Sequence, residues 1–135
     1  MITPRKNKFS ARREIKKLDA FCRKIVFARD GYKCARCGKG KDQAALHWAH
    51  VITRAAKSTR WHLDNSMVLD YYCHFRWAHE RPLEFAEFVR ENLGEERYAG
   101  LIARSNRPQQ LTPEVAHGWF SYLSGAAQKY GVRTE

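Results

Sequence analysis

Two cysteines three positions apart, Cys34 and Cys37, stand in a segment punctuated by Gly38 and Gly40, and this knuckle constrains the chain more than any other feature. Glycine lets a backbone double back within a few residues, and two thiols held across such a turn form half of a tetrahedral metal site. The same thiols could belong to a disulfide framework, but no secretory signal is read near Met1. A chain kept inside the cell, with reduced thiols, is therefore the expectation. Cys73 lies far downstream of the pair, whereas Cys22, between Phe21 and the apolar Ile25 and Val26, reads as a core residue.

The elements around the knuckle follow from periodicity. Ile15, Leu18, Phe21, Cys22, Ile25 and Val26 recur at helical steps, with Ser10 as an N-cap and Asp30-Gly31 as the stop. Ala44 to Thr53 and Ser66 to Tyr72 read as short strands separated by a polar loop, Arg54 to Asp64. A helix should begin near Cys73 or His74, Pro82 interrupts it or opens another, and Arg97 to Ala103 forms a short one. Thr112-Pro113, a cap followed by a proline at the first helical position, opens the last helix. The aromatics Trp77, Phe85, Phe88, Trp119 and Phe120 are expected in the core, while Trp48 and Trp61 could pack or face a ligand. The expected architecture is one α+β domain of 135 residues: a basic arm and helix (1–31), a hairpin-and-helix core (32–80) and a helical remainder (81–135). No apolar run reaches the length of a membrane helix.

Charge narrows the partner. Lys and Arg total 25 against 14 Asp and Glu, a formal charge of +11. A cation of this strength attracts nucleic acid first, and acidic proteins or membranes second. The excess is concentrated before Arg29, where Arg5, Lys6, Arg12, Arg13, Lys16 and Lys17 are opposed only by Glu14 and Asp19. A second cluster, Arg54, Lys57 and Arg60, falls in the loop between the strands, where backbone phosphates would pass.

Chemistry-bearing residues gather in one stretch: Cys34-x-x-Cys37, Ala49-His50-Val51-Ile52, Asp64-Asn65 and Cys73-His74. Asn65 follows His50 by fifteen positions and precedes His74 by nine. From about Lys33 to Phe88 this order resembles the HNH (ββα-metal) endonucleases, and His47 to Pro82 is especially similar to phage-type members, including the lambda recombination-endonuclease group. The resemblance implies a DNA endonuclease in which His50 is the general base and His74 holds a catalytic Mg2+ or similar divalent ion. It implies for Asn65 either a place beside that ion or the orientation of the base, and for a phage protein the host cytoplasm. Hydrolysing a phosphodiester gives those residue types a reason: a partly neutral imidazole can take a proton from water, and a cation can polarise the phosphate.

The chain departs from the pattern twice. Many relatives carry a metal ligand immediately before the base, where Ala49 stands here, and His47 is a candidate replacement. In a regular strand residues 47 and 50 face opposite sides, so they meet only if it bends. His79, five after His74, has poor helical spacing for a shared ion unless the turn before Pro82 carries it inward. The family's structural zinc site commonly has a second Cys-x-x-Cys pair, and here the match is Asp70-x-x-Cys73. Cys34, Cys37 and Cys73 could hold Zn2+ with Asp70, hold it with a histidine, or form a degenerate site. The alternative function is a zinc-knuckle protein that binds nucleic acid without cutting it. A homodimer remains open, since one active site severs both strands only with two copies or two events.

Overall fold

The computed structural model describes residues 8–134, so Arg5 and Lys6 of the basic arm lie outside the described residues. Helix α1 (Ala11–Arg29) begins where expected: the Ser10 hydroxyl accepts the Arg13 N–H, and Asp30 ends it. Strands β1 (Leu46–His50) and β2 (Ser66–Asp70) pair antiparallel, with Leu46 opposite Asp70 and His50 opposite Ser66. Both are shorter than the apolar runs that announced them, because the chain leaves β1 at Val51 and turns into a helix after Tyr71. That helix, Tyr72–Ala78, has π geometry. Then come α2 (Pro82–Leu93), α3 (Glu95–Ser105) and α4 (Pro113–Lys129). The third is longer than expected, since Gly94, at φ 85°, starts it two residues before Arg97. The fold is thus a small α+β arrangement of one two-stranded sheet and several helices. No helix of the described residues is long and apolar enough to cross a membrane.

The hairpin is the middle layer. Its even-numbered residues, Trp48 and Val68, pack with Leu18, Cys22, Ile25, Trp61, Trp119 and Leu123 between α1 and α4. Its odd-numbered residues, Ala49, Met67 and Leu69, pack with Cys73, Trp77, Phe85 and Val89 on the other side. Period-two alternation with helices on both faces buries β2 completely. The expected aromatic core therefore splits, with Trp77, Phe85 and Phe88 in one layer and Trp119 and Phe120 in the other. Trp48 and Trp61 are both buried.

The end of α1 is tied to β2 by hydrogen bonds. Arg29 donates to the carbonyls of Leu63 at 2.6 Å and Ser66 at 2.7 Å, and the Asp30 carboxylate accepts the Val68 N–H at 2.8 Å. Bonds to charged groups contribute about 1.5–3 kcal/mol each, enough to fix where the strand enters the sheet.

Candidate metal and histidine sites

The knuckle closes on itself through Cys34 N–H to the Lys39 carbonyl and Gly38 N–H to the Cys34 carbonyl, with Gly38 at φ 81°. A further bond, Ala35 N–H to the Val68 carbonyl, docks it on β2. Asp70 ends that strand, and its Oδ1 accepts the Cys73 N–H at 2.7 Å, so the helix cap and the knuckle meet at one carboxylate. The donor atoms of Cys34, Cys37, Asp70 and Cys73 all lie within 4.8 Å of one another. A tetrahedral zinc with bonds of about 2.0–2.3 Å separates its donors by roughly 3.3–3.8 Å, so a small contraction would seat the ion. The four residues fit a metal such as zinc.

Protonation in this cluster follows from burial and hydrogen bonding. Burial opposes ionisation of Cys34, but backbone N–H groups, those of Cys37 and Asp70 foremost, outweigh it and hold the thiol below its usual range. Burial also opposes ionisation of Asp70, and the Cys37 thiol, 3.0 Å away, with the Cys73 N–H overcomes it. Cys73 goes the other way: burial pushes it up to about 12, although the Arg36 guanidinium lies 3.5 Å from its sulfur. Buried thiols crowded against a carboxylate resist ionising together unless a cation neutralises them.

The histidines divide between the two faces of the hairpin. His47 points to the odd face, where its Nδ1 lies 3.1 Å from Nδ1 of His74. His79 joins them, its ring centroid 4.7 Å from that of His74. In an α-helix a five-residue step would carry His79 well round the barrel. The π turn makes that step the hydrogen-bonded one, and His79 N–H donates to the His74 carbonyl at 3.1 Å. The expectation of poor spacing is corrected by this local geometry.

His50 occupies the even face with Trp48, its ring centroid 4.2 Å away. Its Nε2 lies 3.1 Å from the Arg60 carbonyl. A carbonyl only accepts, so Nε2 carries the proton and Nδ1 is left with its lone pair. Burial first, then the Arg54 charge, lowers the His50 pKa to about 4. His74 is also lowered to about 4, by burial, then by His79 and His47, and again by Arg54. The charge of Arg54 thus bears on both histidines.

The loop that positions His50 is fixed at both ends. Asn65, fully buried, accepts the Ile52 N–H at 2.8 Å and donates to the Ile52 carbonyl at 3.2 Å. Both polar atoms of its amide thus bond the backbone two residues beyond His50 and tie the end of β1 to the start of β2. Arg60 grips Asp19 of α1 with two bonds, at 2.9 and 2.6 Å, and Trp61 Nε1 adds a third to the same carboxylate at 2.8 Å. Arg60, expected to meet phosphate, is instead committed to Asp19, and its carbonyl holds His50. The sequence reading missed Asp19. Its signal was its isolation as one of two acidic residues in a basic helix.

An open hollow of about 420 Å³ lies between α1 and β1, walled by Asp19, Arg23, His47, Trp48, Arg54 and His74. Trp48 leaves its buried indole N–H without a hydrogen-bond partner among the described residues. Arg54 is exposed, with its guanidinium 5.1 Å over the Trp48 ring. Lys57 is half-buried. At 100° per residue, Arg12 and Lys16 fall on the same stripe of α1 as Asp19 and Arg23, in line with the hollow, whereas Arg13 and Lys17 are turned about a quarter circle away. No protein-family model, curated protein or solved structure matches the chain.

Proposed function

We propose that this protein is a metal-dependent endonuclease that hydrolyses phosphodiester bonds of DNA, built on an HNH (ββα-metal) core with His50 as general base. The observation that carries the reading is the tautomer of His50: the Arg60 carbonyl holds the proton on Nε2 and leaves the Nδ1 lone pair to accept one. A base must reach its proton in the right form before basicity matters, and positioned general bases contribute typically 10²–10⁴-fold. Asn65 and the Asp19–Arg60 pair hold the loop that presents it. Arg23 and Arg54 line the hollow as phosphate contacts.

His74, with His47 in place of the ligand missing at Ala49, supplies converging ring nitrogens. Zinc-type bonds of about 2.0–2.1 Å separate tetrahedral donors by roughly 3.3–3.4 Å, and these nitrogens, 3.1 Å apart, would open slightly to seat an ion. Imidazole donors suit zinc, nickel or iron; they do not suit Mg2+, which prefers oxygen. Asp19, the carboxylate in the hollow, is already bound to Arg60 and Trp61. Bound there, a transition-metal ion would supply Lewis-acid polarisation of the phosphate. The Cys34, Cys37, Asp70 and Cys73 cluster is assigned structural zinc.

One observation favours a second reading: His50 and the His47–His74 pair sit on opposite faces of β1. A non-catalytic nucleic-acid-binding protein would tolerate that separation. Nicking of supercoiled plasmid with Mg2+, Mn2+, Zn2+ or Ni2+, beside EDTA and His50→Ala controls, decides between them. Metal-dependent nicking that disappears in the variant supports the nuclease. DNA binding without cleavage, unchanged by His50→Ala, supports the binding protein.

A further inference from the structure

Beside the imidazole pair lies a set of rings that the hydrolytic reading does not use. Tyr71 is 56% exposed and Phe75 is 38% exposed, and their centroids are 5.2 Å apart. Phe75 stacks on His74 at 4.5 Å and meets His47 at 5.3 Å and His79 at 5.2 Å. Single exposed aromatics need no explanation, but this group is contiguous and ends at the histidines. Nor is it a floppy fringe: the Tyr71 N–H is tied to the Ala45 carbonyl at 3.0 Å.

We infer that Tyr71 and Phe75 form a stacking platform for an unpaired base, so that the strand this protein engages is single-stranded or locally opened next to the phosphate at the histidines. The inference rests on the reading of the chain as a nucleic-acid enzyme and adds its substrate class. Flat rings gain most from a nucleic acid when a base offers its face, and in an intact duplex each face is covered by its neighbours. Exposed aromatic side chains beside a basic track are how proteins hold single strands, because every base has a face to stack. Here the track is Arg23 and Arg54, in the hollow shared with His47 and His74. Nearby Arg76 is paired with Glu80 at 3.1 Å and adds little to it. A second copy of the chain is the poorer occupant, since two bodies of charge +11 repel.

Binding tests this separately from catalysis. The full-length, zinc-loaded His50→Ala chain is titrated into a fluorescent oligonucleotide, either as a single strand with an internal 2-aminopurine or as the matching duplex, at one salt concentration. The single strand should bind at least tenfold more tightly and quench the 2-aminopurine. Adding Tyr71→Ala or Phe75→Ala should each weaken single-strand binding by about tenfold and relieve the quenching, with duplex affinity unchanged. Tyr71→Phe should keep both. Equal losses on the two substrates, a preference for duplex, or a dimer in sedimentation that Tyr71→Ala dissolves would each overturn the platform. If Phe75→Ala melts early, the Tyr71→Ala and Tyr71→Phe pair carries the decision. If the chain with His50 intact quenches the 2-aminopurine but cleaves neither substrate with any of the metals, the nuclease reading sinks and the platform stands.

Discussion

The cysteine cluster and the histidine cluster flank the same π-helix, yet they are built in opposite ways. Around Cys34, Cys37, Asp70 and Cys73 the donors have their hydrogen bonds supplied by the knuckle and the helix cap, and Cys34, Asp70 and Cys73 are buried. The His74 ring meets those of His47 and His79, and His47 and His74 open onto a hollow of about 420 Å³. Closed, fully furnished sites hold a metal for the fold's sake, and sites with open positions hold one for a substrate. On the proposed reading, that contrast gives stability to the first cluster and chemistry to the second.

The largest effect should come from breaking the closed site. Cys73→Ser, or prolonged chelation, should remove one bound zinc per chain and lower the melting temperature by more than 10 °C, read by metal analysis and thermal unfolding. His74→Ala should move the melting temperature by only a few degrees; equal losses in both variants would erase the distinction. Next in size, His50→Ala should cut metal-dependent nicking by at least about 10²-fold while leaving the zinc in place. Asn65→Ala should come third. It leaves the half-buried Ile52 N–H and carbonyl without their partner at a cost of about 1–3 kcal/mol in all, so melting temperature and nicking should fall together.

The smallest effect is one of pH. Burial holds His50 near 4 and shifts His62 in the same direction, below the usual value near 6.5, so the unfolded chain takes up those protons more readily. Their contribution to stability is fully present above about pH 6.5 and is lost as pH falls from there toward 4. Thermal unfolding between pH 7 and 5 should show a declining midpoint, with a shallower slope in His50→Gln. An unchanged slope would mean that His50 titrates normally and that its neutral state owes nothing to the fold.

What could be read beforehand was the chemistry that acts over a few residues. The Ser10 cap, the Asp30-Gly31 stop, the Thr112-Pro113 opening and the glycine knuckle each depend on neighbours within a turn, and each is where the sequence puts it. Strand parity also told that His47 and His50 would diverge. It could not tell that His74 would meet His47, because that depends on where the helix docks. Arg60 looked like a phosphate contact for the same reason: its partner, Asp19, is 41 residues away and on another element. The Asp70 substitution was visible as a departure from a pattern, and only the fold brings its carboxylate to the three thiols.

The π turn at Tyr72–Ala78 carries a consequence for how this site could be gained or lost. A π turn amounts to an α-helix with one residue too many, and such turns occur often at functional sites. Removing a single exposed residue between His74 and His79, such as Arg76, would let the segment relax into ordinary α-helix with its buried side largely intact. His79 would then stand four positions from His74, one α turn on and on the same face, so the two imidazoles would stay together. The π turn therefore holds one residue that can be lost without parting the imidazoles, whereas a further insertion would turn His79 off the shared face.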